Sequence, residues 1–248
     1  MNKKLAIALV FAVCLTLALG AFAPGAMAKK APTVVPPSSV AYGHTYGEWG
    51  AMWWQWALAI PKDKNPLQDA TGALAGEGQS GPVFFLCGTV TQTQLSDFEY
   101  IGVANRKITI PAHTPLFFPI VNTECSTAEG NGTTVAELTT MCDFFTSHTT
   151  ALSLTIDNQT VPAMFSYRGT SGGYQLWWPD DAVLALPPLG GKSTLSVADG
   201  YWALVKPLSP GTHTLHWTGT QEFSSAAGDG FDGIFSQDIT YRVKVLND

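Results

Sequence analysis

The 248-residue chain sets 13 Lys and Arg against 19 Asp and Glu, a formal charge of −6, with no basic cluster. That balance excludes nucleic acid and anionic lipid surfaces as natural partners, because both require a concentrated positive face. With 46% hydrophobic and 13% charged residues, 24 Gly and 16 Pro, the composition describes a turn-rich globular chain able to bury one sizeable core.

Lys3 and Lys4, the apolar run from Leu5 to Phe22 and the small-residue end Ala26-Met27-Ala28 follow the order of a cleavable secretory signal over residues 1–28. The apolar run is about 18 residues and is interrupted by Gly20 and Pro24, short for an anchor. The expectation is an exported protein, periplasmic or extracellular, with no membrane span after cleavage. Residues 29–39, KKAPTVVPPSS, read as a loose leader, and 40–248 as a single domain.

Thr45 followed by Glu48 is a capping box, and YGEWGAMWWQWALAIP has no proline before Pro61, which predicts a helix from Tyr46 to about Ala59. Trp49, Trp53, Trp56 and Ile60 fall at i, i+4, i+7 and i+11, a single face that belongs in a core. Trp54 stands about 100° round from Trp53, so burial and ligand stacking both remain open for it. Gly47, Gly50, Ala51 and Ala57 leave room behind the helix for another backbone.

Short alternating or apolar runs follow at 82–90, 107–110, 116–121, 152–156, 161–167, 174–178, 194–197, 201–205, 212–218 and 239–245, punctuated by Pro and Gly. A second capping box, Thr134 with Glu137, predicts a helix to about His148 with Val135, Leu138, Cys142 and Phe145 as its apolar stripe. Cys125 and Cys142, 17 positions apart, are expected to bridge in an oxidising compartment, a closure that stabilises by about 3 kcal/mol. Cys87, inside VFFLCG, reads as a buried inert thiol. Many short strands with two isolated helices predict an all-β fold, an antiparallel β-sandwich of jelly-roll or Greek-key type.

The segments NPLQDATG, GQSGPVFFLCGT, PAHTPLFFPIVNTECS and DGYWALVKPLSPGTHTLHWTGT, with the tryptophan helix, resemble a family of uncharacterised exported prokaryotic proteins. The resemblance covers nearly the whole mature chain and implies a fold but no catalytic residues. Members often carry a cysteine near the position of Ala75, which this chain lacks.

Several motifs suggest chemistry. Gly169-Thr170-Ser171-Gly172-Gly173 fits a nucleophile-elbow pattern, but the strand-like YQLWW follows it where a helix is required, so it reads as a hairpin loop. His213 and His216 are three apart on a strand, project to opposite faces and cannot share a metal. Asp229, Asp232 and Asp238 offer hard oxygen donors in a glycine-rich loop, a calcium candidate set against a merely solvated acidic hairpin. Tyr174, Leu176 and Trp178 share one strand face and leave Trp177 on the other, beside Asp180 and Asp181. An exposed ring next to carboxylates is a common way to hold sugars. The expectation is therefore a non-catalytic binding protein for a glycan or another envelope component, contacting it through Trp177, Trp54, Asp180 and Asp181. The alternative is a polysaccharide hydrolase or lyase using two of the acids.

Overall fold

Both predicted helices begin where their capping boxes place them. In the structure, a computed structural model that describes residues 34–184 and 190–248, α1 spans Tyr46–Ala59 and α2 spans Val135–Ser147. Each N-cap threonine accepts from the N3 backbone while the N3 glutamate reaches back to the cap. The strands are β1 (Phe84–Phe85), β2 (Thr93–Ser96), β3 (Glu99–Ile110), β4 (Leu116–Ser126), β5 (Thr149–Ile156), β6 (Gln159–Thr160), β7 (Arg168–Thr170), β8 (Tyr174–Trp178), β9 (Lys192–Val205), β10 (Gly211–Phe223) and β11 (Gly233–Val245).

The strands form two sheets. The smaller runs β1-β4-β9-β7, with β8 also paired to β9; the larger runs β2-β3-β11-β10-β5-β6. Most neighbours are antiparallel, but β1 with β4 and β3 with β11 are parallel, so both sheets are mixed. Leu116, Phe118, Tyr201 and Ala203 of the smaller sheet meet Leu215, Trp217, Ile239 and Tyr241 of the larger in one core. Phe118 stacks on Trp217 at 4.5 Å between ring centroids, which closes the β-sandwich.

The other face of the smaller sheet carries α1. Trp49, Trp53 and Trp56 are 1%, 2% and 7% exposed and pack on Phe85, Phe117, Trp178 and Trp202. Gly47 permits this approach: a Cβ there would lie 2.0 Å from the Thr170 carbonyl oxygen. The α2 helix covers Cys125 and Val197. Strand alternation puts Val197 on the same face as Tyr201, so α2 extends the layer of the larger sheet. Among the described residues, no helix is long and apolar enough to cross a membrane.

Some expectations need correction. The signal peptide lies outside the described residues, but the end of the leader is anchored: Val34 bridges to Val205, and Val35 is buried with its N–H on the Leu204 carbonyl. Cys125 and Cys142 do meet in the α2 packing, yet both are free thiols and no disulfide joins them. Cys142 Sγ donates to the Val197 carbonyl at 3.3 Å, and the hydrogen bond with Cys125, together with burial, pushes its pKa up. The run 82–90 gives only the two residues of β1. Beyond it, the Leu86 and Val90 N–H groups donate to the Phe117 and Leu67 carbonyls, and side chains take others, with Arg106 on the Cys87 and Gly88 carbonyls and Gln237 on both backbone groups of Thr89.

Candidate functional site

The four helix tryptophans differ in one respect that their spacing does not reveal. Trp49 donates its indole N–H to the Ala41 carbonyl at 2.9 Å, Trp53 to Leu86 at 2.7 Å and Trp56 to Glu77 at 2.9 Å. Trp54 Nε1 is buried and has no partner. Its ring, half-buried, stands edge-on to Trp53 and lines a cavity of about 270 Å³ beside the edge of β4. Trp53, Asn122, Gln92, Gln221 and Gln237 are among the other walls, and no charged side chain lines it.

Asn122 begins a row. A register shift between Pro119 and Val121 pairs Val121 with Tyr201, Asn122 with Gly200 and Glu124 with Ala198. Because Tyr201 faces the inter-sheet core, Asn122 and Glu124 face the α1 side. Tyr174, opposite Ser196 on β8, shares that side with Leu176 and Trp178. Among the described residues five buried side-chain polar atoms lack a hydrogen-bond partner, and four of them belong to this layer: Trp54 Nε1, Asn122 Nδ2, Glu124 Oε1 and Tyr174 OH. The fifth, Trp217 Nε1, lies between the sheets. An orphaned buried polar atom costs about 1–3 kcal/mol, so a grouping of four points to a site rather than to packing.

Glu124 is an unusual carboxyl. Burial first, and then the adjacent Glu129, push its pKa up to about 9, so at neutral pH it is protonated. Glu129 hydrogen-bonds to it and also accepts from the Ser126 N–H at 3.0 Å and Ser126 Oγ at 2.9 Å. The shared proton leaves Glu124 Oε1 as a neutral acceptor. Burial and the nearby Glu124 raise Tyr174 well above the usual phenol range, so its hydroxyl stays intact. The layer therefore presents two N–H donors, a phenol and a carbonyl-type acceptor.

The sequence-named residues are not gathered here. Trp177 is 54% exposed, as expected, but alternation from Leu176 and Trp178 turns it to the face opposite α1. Trp54 and Trp177 therefore do not share a site. Asp180 and Asp181 are exposed past the end of β8, where the Asp181 carbonyl accepts from the Lys62 N–H. The calcium set is also dispersed. Asp229 accepts from Ser224 N–H and His148, Asp232 from Ser225, and Asp238 from His216 five strand positions into β11. Among the described residues no three His, Cys, Asp or Glu side chains group to hold a metal.

Ser171 is buried, with Oγ accepting from the Ala198 N–H at 2.8 Å, and β8 follows it, which leaves it no nucleophile role. A second serine, Ser209, lies 3.4 Å from His213 Nε2, whose Nδ1 is 2.7 Å from Asp157. That resembles a triad but is wired differently. Nε2 also lies 2.8 Å from the Ser209 carbonyl, an acceptor, so it donates and is not free to take a hydroxyl proton. His213 instead ties the β5–β6 turn, where Asp157 and Asn158 hold φ of 52° and 63°, to the loop before β10.

Sequence reasoning missed Asn122, Glu124, Glu129 and Tyr174. No local signal marks them, since their meeting depends on the β4 bulge and on the β4–β9–β8 pairing. No family model matches the chain, and no curated protein matches it. Among solved structures, the cysteine protease inhibitor EhICP2 from Entamoeba histolytica is 12% identical, covering 60% of this chain and 98% of that one, with a TM-score of 0.21. Amebosin is 10% identical, covering 60% and 99%, with a TM-score of 0.17. Likeness at this level carries no argument about fold or function.

Proposed function

We propose that this chain is an exported, non-catalytic binding domain that takes an uncharged hydroxyl-rich ligand, the end of an envelope glycan, in the cleft between α1 and β4. The observation that carries this reading is the contrast between three satisfied indole N–H groups and the orphaned Trp54 Nε1, which lies beside the equally orphaned Asn122 amide in a cavity with uncharged walls. Sugars supply both an apolar face for a ring and hydroxyls for such groups. A volume of about 270 Å³ suits one ring more than an extended chain. The hydrolase alternative gains little from Glu124 and Glu129, because hydrogen-bonded carboxyls are closer than the roughly 5 Å or more that separates glycosidase acid pairs.

Trp54→Phe keeps a ring and deletes the donor, and Asn122→Ala deletes the other donor. Each is expected to weaken retention on neutral polysaccharides, measured by affinity electrophoresis, by about fivefold, the equivalent of about 1 kcal/mol. Melting temperatures should stay within about 2 °C, since neither group hydrogen-bonds within the fold. Trp177→Ala should bind like the parent. Unchanged retention in both cleft variants, or loss of retention only with Trp177→Ala, would move the site to the other face.

A further inference from the structure

Two walls of the cleft, Gln221 of β10 and Phe235 of β11, flank the connection 224–232 and lead to the last turn of α2. Gln221 Nε2 donates to the Phe145 carbonyl at 2.7 Å. Phe235 meets Phe223 edge-on at 6.1 Å between centroids, and Phe223 stacks on the His148 ring at 4.7 Å. His148 is the C-cap of α2, and its own N–H turns back to the Phe145 and Thr146 carbonyls, which leaves the Phe144 carbonyl to the imidazole. Nδ1 lies 2.6 Å from that carbonyl, and Nε2 lies 3.0 Å from Asp229 Oδ1 in the connection. A carbonyl accepts only, and so does an ionised carboxylate. An imidazole satisfies two acceptors only as the imidazolium, which carries a proton on each nitrogen. The carbonyl end of a helix favours the same charge.

We infer that His148 is a pH-operated latch on the cleft: as the imidazolium it pins the β10–β11 connection to α2 and holds the Gln221 and Phe235 walls in place, and on losing a proton it must release either Phe144 or Asp229. This rests on the cleft reading above and adds how that site is regulated. His148 is held above its ordinary value of 6.5 by the Phe144 carbonyl first and then by Asp229. The latch is therefore closed below pH 6.5 and opens as pH rises through the raised value. Asp229 is the carboxylate in contact with the ring; of its charged neighbours, Asp232 bonds to Ser225, Glu222 to the Thr150 hydroxyl and Asp143 to Arg168. Gly228 and Gly230, with φ of 103° and 84°, flank Asp229 and give the released connection freedom to move. Because the latch holds only this connection, its opening is local and leaves the sheet ladders in place. A closed latch preorganises the cleft, so a ligand binds more tightly on the acid side.

The test follows the ¹⁵N-labelled mature protein by NMR without ligand between about pH 5.5 and 9.5, and then its retention on neutral polysaccharides by affinity electrophoresis over the same range. Backbone order parameters over 225–231 are expected to fall from about 0.85 to below about 0.6 as the His148 imidazole titrates, with exchange broadening at Phe235 and the Gln221 side chain. The parent alone carries this readout, so it stands even where a variant fails to fold. Asp229→Asn removes the charge, so His148 should titrate at lower pH and the loss of order should move with it, which a packing role alone would not produce. His148→Gln cannot titrate and should show no step, which separates the latch from Glu124, the carboxyl raised to about 9. Retention should weaken at least about threefold across the step in the parent and stay level in His148→Gln. Order over 225–231 that does not follow His148, or that follows it without change at Phe235 and Gln221, would overturn the latch, as would level retention while those walls loosen. A step in order and at the walls with no polysaccharide retained at any pH would support the latch and remove the glycan reading alone.

Discussion

Arg106→Met is expected to lower the free energy of unfolding by about 4 kcal/mol, measured by urea denaturation, even though methionine fills much of the same volume. Arg106 is fully buried in β3, and its hydrogen bonds go to backbone carbonyls rather than to a carboxylate. Its guanidinium donates to four backbone carbonyls, those of Asp69 at 2.6 Å, Cys87 at 2.7 Å, Gly88 at 2.9 Å and Pro66 at 3.1 Å, and lies 5.3 Å over the Tyr241 ring. These carbonyls belong to the connection between α1 and β2, which contains almost no strand of its own. A hydrogen bond from a charged donor is worth about 1.5–3 kcal/mol, partly offset by the cost of burying the cation. Methionine removes all of these donors: Tyr241 still donates to the Cys87 carbonyl and the Asp69 N–H to that of Pro66, but the Asp69 and Gly88 carbonyls lose the donor they have here.

Arg106→Lys should recover less than half of the loss, because a lysine has three donors at one point where the planar fork reaches carbonyls on several sides. The damage should be local first. Hydrogen exchange in the variant should accelerate over 65–90 before it does in β10 and β11. Since Leu67, Gly88 and Thr89 are also walls of the cleft, binding should weaken in parallel. A loss below about 1 kcal/mol would mean that the connection holds itself in place without the guanidinium.

Periodicity made the helices legible and misjudged parts of the strands, for identifiable reasons. Capping boxes and the tryptophan stripe are local, and α1 runs as their spacing predicts. The runs 194–197 and 201–205 read as separate, with Asp199-Gly200 between them, yet β9 is one strand of 14 residues that continues through the dipeptide. Asp199 is fully buried there because Arg168 and the Thr170 hydroxyl hydrogen-bond to its carboxyl, and a Cβ on Gly200 would lie 2.7 Å from the Val121 carbonyl oxygen. A turn-forming pair was thus recruited as a buried charge site and a point of close approach. Both are set by residues more than 20 positions away. Trp54 left the same question open: its spacing separates it from the core stripe, but only the pairing of β4 shows that it stands beside Asn122. Trp177 was correctly read as exposed, and the face on which it stands became clear only once β8 was seen to pair with β9.

Glu124→Gln is expected to stabilise the protein by roughly 3 kcal/mol at pH 8 and to change it little at pH 4. The sign follows from proton binding. In the folded chain Glu124 keeps its proton up to about pH 9, whereas the ordinary carboxyl value is 4.5. Between those values the folded state holds a proton that the unfolded state has released. The contribution is fully present below pH 4.5 and is lost as pH rises towards 9, at up to about 1.4 kcal/mol per pH unit. Glutamine cannot ionise, keeps an oxygen at the Oε1 position and offers Glu129 an amide N–H in place of the shared proton, so it removes the slope without removing the contact.

The partner variant separates this from a general effect of deleting an acid. Glu129 Oε2 accepts from both the Ser126 N–H and the Ser126 hydroxyl. Glu129→Gln puts an amide where that carboxyl oxygen accepts twice, and the amide is the weaker acceptor, so it should destabilise the fold. The melting temperature of the parent should fall between pH 6 and pH 9 while that of Glu124→Gln stays nearly level. If the two curves run parallel, the proton is not held on Glu124. If they diverge as stated, the parent retains at this position a group that is unfavourable for folding at neutral pH, which is the pattern of a residue kept for what it binds.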